Sequence, residues 1–254
     1  MPKVLLGSQG SVRVLAVNRP EVHNCVDGET AEAIAEAIIG FGEDDAARVL
    51  IVTGSGDKSF CSGADLKNAQ SLLSHKHVEI TGPMGFAKLD PGKPTIAAVN
   101  GYCFAGGMEL AAWCDFRIAS SNAEFGALNR RWGVPFTDGA TQRLPRIMGQ
   151  GGALYLIETG VRISAERALS LGLVQEVVEP RKALERALEL AERIAGYPQV
   201  SLRADRRAAI EGLGRSLAEG LDLEAELCLP TVNEEELTAG LQRFVSGDRP
   251  DAPR

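Results

Sequence analysis

Residues 100–115 read Asn-Gly-Tyr-Cys-Phe-Ala-Gly-Gly-Met-Glu-Leu-Ala-Ala-Trp-Cys-Asp and bring three chemical parts into one short span. The apolar run Thr95–Val99 before it predicts a buried strand. A turn of small residues follows, centred on Ala105, Gly106 and Gly107, and a helix is expected from Met108 with Glu109 in its first turn. Glycine lets a ligand approach the main chain closely. The start of a helix leaves N–H groups without partners and carries partial positive charge. Such a turn suits an oxygen that gains negative charge during a reaction, and a carboxylate nearby can move a proton.

A second small-residue turn, Phe60-Cys61-Ser62-Gly63-Ala64-Asp65-Leu66, lies about forty residues earlier and also follows an expected strand. Either turn alone is weak evidence, because most such segments are only turns. Two of them, each placed after a strand, are far more specific.

The elements that must position these turns can be read from periodicity. Val4–Leu6 and Val12–Val17 predict a hairpin around Ser8-Gln9-Gly10. Glu29–Phe41 has helical spacing, with Gly40 and Gly42 expected to stop it. Arg48–Thr53 is rich in β-branched residues and reads as a strand. Residues 66–92 are polar and punctuated by Gly and Pro, which suggests helical pieces and a mobile loop, with His75 and His77 solvated. Phe116–Ala119 and Leu173–Val178 read as strands, and 122–150 as turns with short helices. Gly151–Thr159, Ala165–Leu171 and Leu184–Ala195 are expected helices. From Pro198 onward the pattern is helical, with breaks near Gly212–Gly214 and Pro230. Strand–helix alternation over the first two-thirds predicts an α/β core followed by an all-helical region.

The chain has 254 residues and a net charge of −7, with 44% hydrophobic and 24% charged residues. This is ordinary for a globular protein, and without a basic run it argues against a nucleic-acid partner. No stretch is long and apolar enough to suggest a membrane span, and the first residues carry no cleavable signal, so a cytoplasmic protein is expected. The five cysteines, Cys25, Cys61, Cys103, Cys114 and Cys228, match no zinc spacing. They are read as free thiols, mostly buried small hydrophobes, and no metal is expected.

The two turns together closely resemble the crotonase superfamily of enoyl-CoA hydratases and isomerases. Asn18-Arg19-Pro20 with Asn24, Ala123-Glu124-Phe125-Gly126, Thr141-Gln142-Arg143-Leu144-Pro145 and Gly172-Leu173-Val174 add to the likeness. The resemblance implies a ββα superhelix, an α/β spiral, over residues 1–195. It implies a helical C-terminal region, 196–254, that acts as lid and builds a homotrimer or a hexamer. It implies a coenzyme A thioester as substrate, with no tightly bound cofactor. By position, the amides of Ala64 and Gly106 would form the oxyanion hole and Glu109 would be the acid/base. Ser62, Asp65, Leu66 and Lys67 would lie along the coenzyme, with Val22 nearby.

One departure matters for the chemistry. Hydratases of this family carry a second glutamate shortly after Phe125-Gly126, and Asn129 stands there. An amide can hydrogen-bond water but cannot exchange a proton near neutral pH. Asp138 is the candidate replacement, and it could equally cap the helix expected from Gly139. Arg130-Arg131-Trp132 is unusual beside an acyl site. It reads either as structural, with an Arg paired to a buried acid and a Trp filling space, or as a pairing of Arg130 or Arg131 with Glu109, Asp138 or a substrate carboxylate. Three readings therefore stand: reversible hydration of a 2-enoyl-CoA; double-bond migration or carbon–carbon hydrolysis using Asp138; or an acyl-CoA-binding subunit with little catalysis.

Overall fold

A computed structural model describes residues 1–233 and 235–247. The chain divides into two compact units, Met1–Ile194 and Ala195–Arg254.

In the first unit, strands β1 (Val4–Gln9) and β2 (Val12–Val17) lead to helix α1 (Gly28–Glu43), then β3 (Val49–Gly54) and β4 (Ser59–Cys61). A 3-10 segment, Leu66–Leu73, and the short α2 (Val78–Thr81) precede β5 (Thr95–Val99), β6 (Tyr102–Phe104) and α3 (Gly106–Trp113). Next come β7 (Phe116–Ser120), β8 (Glu124–Gly126), the 3-10 turn Leu128–Trp132 and α4 (Ala140–Thr159). The unit finishes with β9 (Ile163–Ser164), α5 (Ala165–Ser170), β10 (Glu176–Val178) and α6 (Ala183–Gly196).

Two sheets result. The larger has the order β1-β2-β3-β5-β7-β10, and the smaller β4-β6-β8-β9. The pairs β3/β4, β5/β6 and β7/β8 each give one strand to each sheet, so the chain winds as a spiral of ββα turns. Among the described residues only the β1/β2 and β8/β9 pairs are antiparallel. Strands β3 and β5 are buried along their whole length, which explains their continuous apolar sequences.

Several local expectations shift. β1 runs on to Gln9, and the tight turn falls at Gly10, whose φ is +57. α1 continues through Gly40 and Gly42 to Glu43, because interior glycine weakens a helix without ending one in a packed context. Its N-cap is Asp27, which accepts from the Thr30 amide. α3 begins at Gly106, two residues before the expected start. The three-residue strands β4, β6 and β8 are too short to leave a periodic signal. The helix expected over Gly151–Thr159 is the second half of α4, which breaks at Gly149 with φ +78.

The second unit contains α7 (Gln199–Glu211), α8 (Leu217–Cys228) and α9 (Glu235–Ser246). α8 starts with a reciprocal capping box between Ser216 and Glu219. The final residues of the expected helical region, 248–254, lie outside the described residues. Among the described residues no helix is long and apolar enough to cross a membrane, and no group of His, Cys, Asp or Glu gathers to hold a metal.

Candidate active site

A cavity of about 130 Å³ in the first unit is lined by Ser62, Ala64, Leu66, Gly106, Glu109, Asn129 and Asp138 among others. Seven of the ten residues singled out in the sequence therefore meet at one place. Val22, Asp65 and Lys67 are not part of its lining.

The two turns expose main-chain amides for identifiable reasons. Ala64 forms an isolated parallel bridge with Val26. In it the Val26 amide donates to Gly63 O at 2.9 Å and the Asp65 amide donates to Val26 O at 2.8 Å. The Ala64 amide faces the other way and makes no backbone hydrogen bond among the described residues. Asp65 anchors the turn from behind. Its carboxylate takes the Arg19 guanidinium at 2.9 Å and the Lys67 amide at 3.1 Å. Burial alone would raise that carboxyl, but these partners outweigh it and hold it below the usual range.

At the second turn, Ala105 has φ +50 and ψ −121, a backbone region that side-chain-bearing residues avoid. Such a residue stores about 1–3 kcal/mol of strain. The twist leaves the Gly106 amide, the first of α3, without a backbone partner among the described residues. Gly63 packs so closely here that a Cβ on it would sit 2.8 Å from the Gly106 nitrogen. A Cβ on Gly106 would collide with Met84 Sδ, and one on Gly107 with Cys61 O. Gly107 is thus dictated by close packing against main chain, while a side chain on Gly106 would have to displace Met84.

Glu109 is 3% exposed. Its Oε1 accepts from the amides of Asp138 at 2.8 Å and Ala140 at 3.0 Å, so it sits against the start of α4. Burial pushes the carboxyl up to about 7, and the neighbouring Asp138 charge adds to the rise. The two amides and Arg143 act the other way. A carboxyl poised near neutrality can both take and return a proton.

Asp138 is 1% exposed and does not cap α4, whose N-cap is Gly139. Its Oδ1 accepts from the Met84 amide at 2.9 Å and its Oδ2 from the Thr137 hydroxyl at 2.9 Å. Burial raises this carboxyl too, against the lowering effect of those donors and of Arg143. The capping expectation fails because the Glu109 side chain already occupies the amides at that helix start.

Asn129 is 6% exposed. Its Nδ2 donates to Val134 O at 2.8 Å, and its Oδ1 has no hydrogen-bond partner. A buried acceptor left open is costly unless a ligand or water fills it.

The expected pairing of these arginines with acids of the chain is corrected. Arg130 is exposed, donates to Val134 O at 3.1 Å and lies over the Phe136 ring. Neither Arg130 nor Arg131 pairs with Glu109 or Asp138, and Trp132, at 70% exposure, fills no core space. The cation near the two acids is Arg143, which donates to Asp138 O at 3.0 Å and Ala87 O at 2.7 Å. Sequence reasoning missed its role, and that of Met84, because both act through main-chain groups far away in sequence. His75, expected in solvent, is buried. Cys61, Cys103 and Cys114 are buried as expected, with thiols raised by burial, Cys61 to about 12.

A parallel ββα spiral with two free amides and a buried carboxyl at one cavity defines a crotonase-type protein. The chain belongs to the enoyl-CoA hydratase/isomerase family, whose profile matches residues 7–251. It is 39% identical to a crotonyl-CoA hydratase of Syntrophomonas wolfei subsp. wolfei, over 94% of this chain and 95% of that one. It is 35% identical to a short-chain-enoyl-CoA hydratase of Clostridium acetobutylicum, with 94% and 95% covered. An enoyl-CoA hydratase structure from Mycobacterium tuberculosis superposes with a TM-score of 0.92 at 32% identity, covering 99% of this chain and 98% of that one. The chain is an enzyme of this family, acting on coenzyme A thioesters.

Proposed function

We propose that the protein adds water reversibly to a short-chain 2-enoyl-CoA. The observation that carries this reading is Glu109, a buried carboxyl near neutral pKa, at the cavity that the unpartnered amides of Ala64 and Gly106 also line. The thioester oxygen would accept from those two amides. Water oxygen bonds to the β-carbon, the double-bond electron pair moves toward the α-carbon, and the charge collects on the held oxygen as an enolate. Glu109 takes a proton from the attacking water and returns it to the α-carbon on the same face. Asn129 Oδ1 accepts the other hydrogen of the water and so aims its lone pair. One oxyanion donor is typically worth about 3 kcal/mol of barrier. The modest cavity and the short-chain activities printed for the similar hydratases support a small acyl group.

A second reading rests on Asp138. Two carboxyls facing one cavity can move a proton between two carbons, which would migrate a double bond instead of adding water. Following crotonyl-CoA by the loss of its enoyl-thioester absorbance separates the two. Hydration that Glu109→Gln abolishes and Asp138→Asn only weakens supports the first. Turnover of a 3-enoyl-CoA that needs Asp138, without hydration, supports the second. Binding of acyl-CoAs with no turnover would refute both.

Ser62 and Leu66 would contact the pantetheine arm, with Val22, Asp65 and Lys67 toward the nucleotide end. No cofactor beyond the substrate is required by this chemistry. For the second unit we propose roles as lid and in a homotrimer or hexamer, supported by exposed Leu241, Phe244 and Val245 on α9. Light scattering checks the assembly: a monomer would refute it.

A further inference from the structure

His75 lies outside the cavity lining, and the proposed reaction does not use it. It is nevertheless 5% exposed and fully committed. Its Nε2 faces two acceptors, Gly82 O at 3.2 Å and Pro83 O at 3.1 Å. Carbonyls only accept, so Nε2 must carry the hydrogen. Its Nδ1 accepts the His77 amide at 3.3 Å and must be bare. The ring is therefore held in one tautomer, bonded at both ends.

What it holds is the segment Gly82-Pro83-Met84. Gly82 has φ +86, and a Cβ there would meet Asp138 Oδ1 at 3.0 Å. The next amide, Met84 N–H, donates to Asp138 Oδ1 at 2.9 Å, and Met84 Sδ backs Gly106. The Asp138 amide in turn donates to Glu109 Oε1 at 2.8 Å. An unbroken series of contacts thus runs from the imidazole through the Pro83 peptide to both carboxyls. The Gly82 carbonyl also accepts from the Gly85 amide at 3.1 Å and the Thr81 hydroxyl at 3.2 Å, whereas the Pro83 carbonyl takes its hydrogen bond from the imidazole.

We infer that His75 is a positioning residue for the active site: it fixes the Pro83–Met84 peptide so that the Met84 amide stays on Asp138. The inference rests on the reading that Glu109 carries the proton chemistry, with Asp138 beside it influencing its titration. The ionisable groups around that pair are Arg143 from α4, His75 from the loop, and the two carboxyls themselves. Around the imidazole, Lys76 and His77 are drawn to Glu36 of α1.

The consequence is measurable. An amide that donates to a carboxylate favours its charged form, so losing it raises the Asp138 pKa. Raising one member of a coupled pair moves the pair's macroscopic titration toward alkaline pH.

The test compares pH profiles of kcat/KM for crotonyl-CoA hydration in the parent, His75→Leu and His75→Gln. His75→Leu should lose at least tenfold in kcat with KM changed less than threefold, and its acid limb should move up by half a pH unit or more. His75→Gln, whose amide can donate as Nε2 does, should recover most of the rate and the parental limb. If the leucine variant does not fold, His75→Asn, too short to reach Pro83, takes its place. A rate loss with unmoved limbs, or no rescue by glutamine, overturns the inference and leaves His75 purely structural. Asp138→Asn separates the two levels: an unchanged rate and profile there sinks the underlying reading, whereas a changed one beside an unaffected His75→Leu sinks this inference alone.

Discussion

Replacing Glu109 by Gln should stabilise the protein while disabling it, and the stabilisation should grow with pH. The carboxyl is neutral in the fold up to about pH 7, against an ordinary value of 4.5. Below 4.5 both folded and unfolded states hold the proton, and the group contributes no difference. Between 4.5 and about 7 the unfolded chain ionises first, so stability falls as pH rises. Above 7 the loss is complete. Each unit is worth about 1.4 kcal/mol, which makes the full penalty about 3 kcal/mol. Gln keeps the volume and the oxygen that accepts from Asp138 and Ala140, and it cannot ionise. Urea unfolding at fixed protein concentration should therefore show Glu109→Gln more stable than the parent by under about 1 kcal/mol near pH 5 and by about 3 kcal/mol near pH 8. Activity should drop by a factor on the order of 10²–10⁴. An equal stability difference at the two pH values would refute the claim that burial holds this carboxyl near neutrality.

Gly106→Ala should lose activity and about 1–3 kcal/mol of stability, because the new methyl meets Met84 Sδ behind the proposed oxyanion site; thermal melting and initial rates check both. Ala105→Gly should relieve the strain at φ +50 and raise or preserve stability, read by the same melts. Asn129→Glu should lower hydration or change it less than threefold, since the site's open acceptor already serves the water; a large gain would show that the parent is built for another reaction. Under native conditions iodoacetamide should label Cys25 and Cys228, which are partly exposed, far faster than buried Cys61, Cys103 and Cys114, as mass spectrometry would report.

The long elements were legible in sequence because their signals are local. β3 and β5 are unbroken apolar runs, and α6 keeps helical spacing over its whole length. The two turns were legible because they occur as a pair, each after a strand, and Glu109 because it follows the second. What escaped was the set of contacts made across distant segments. Nothing in Gly-Pro-Met-Gly announces that the Met84 amide meets Asp138, and nothing in His-Lys-His distinguishes a buried, doubly bonded ring from a solvated one. Arg143 was visible as part of Thr-Gln-Arg-Leu-Pro, but its closeness to two acids depends on how α4 is seated. Arg130 and Arg131 misled for the converse reason: adjacency in sequence to Asn129 does not point their side chains into the cavity.

The proposed chemistry needs the thioester carbonyl to rest between the Ala64 and Gly106 amides. A crystal structure of Glu109→Gln with crotonyl-CoA bound tests this directly. The thioester oxygen should lie about 2.7–3.2 Å from both the Ala64 and Gly106 nitrogens, with the β-carbon beside residue 109 and a water on Asn129 Oδ1. A thioester oxygen held by other groups, with the two amides pointing at protein acceptors, would contradict it.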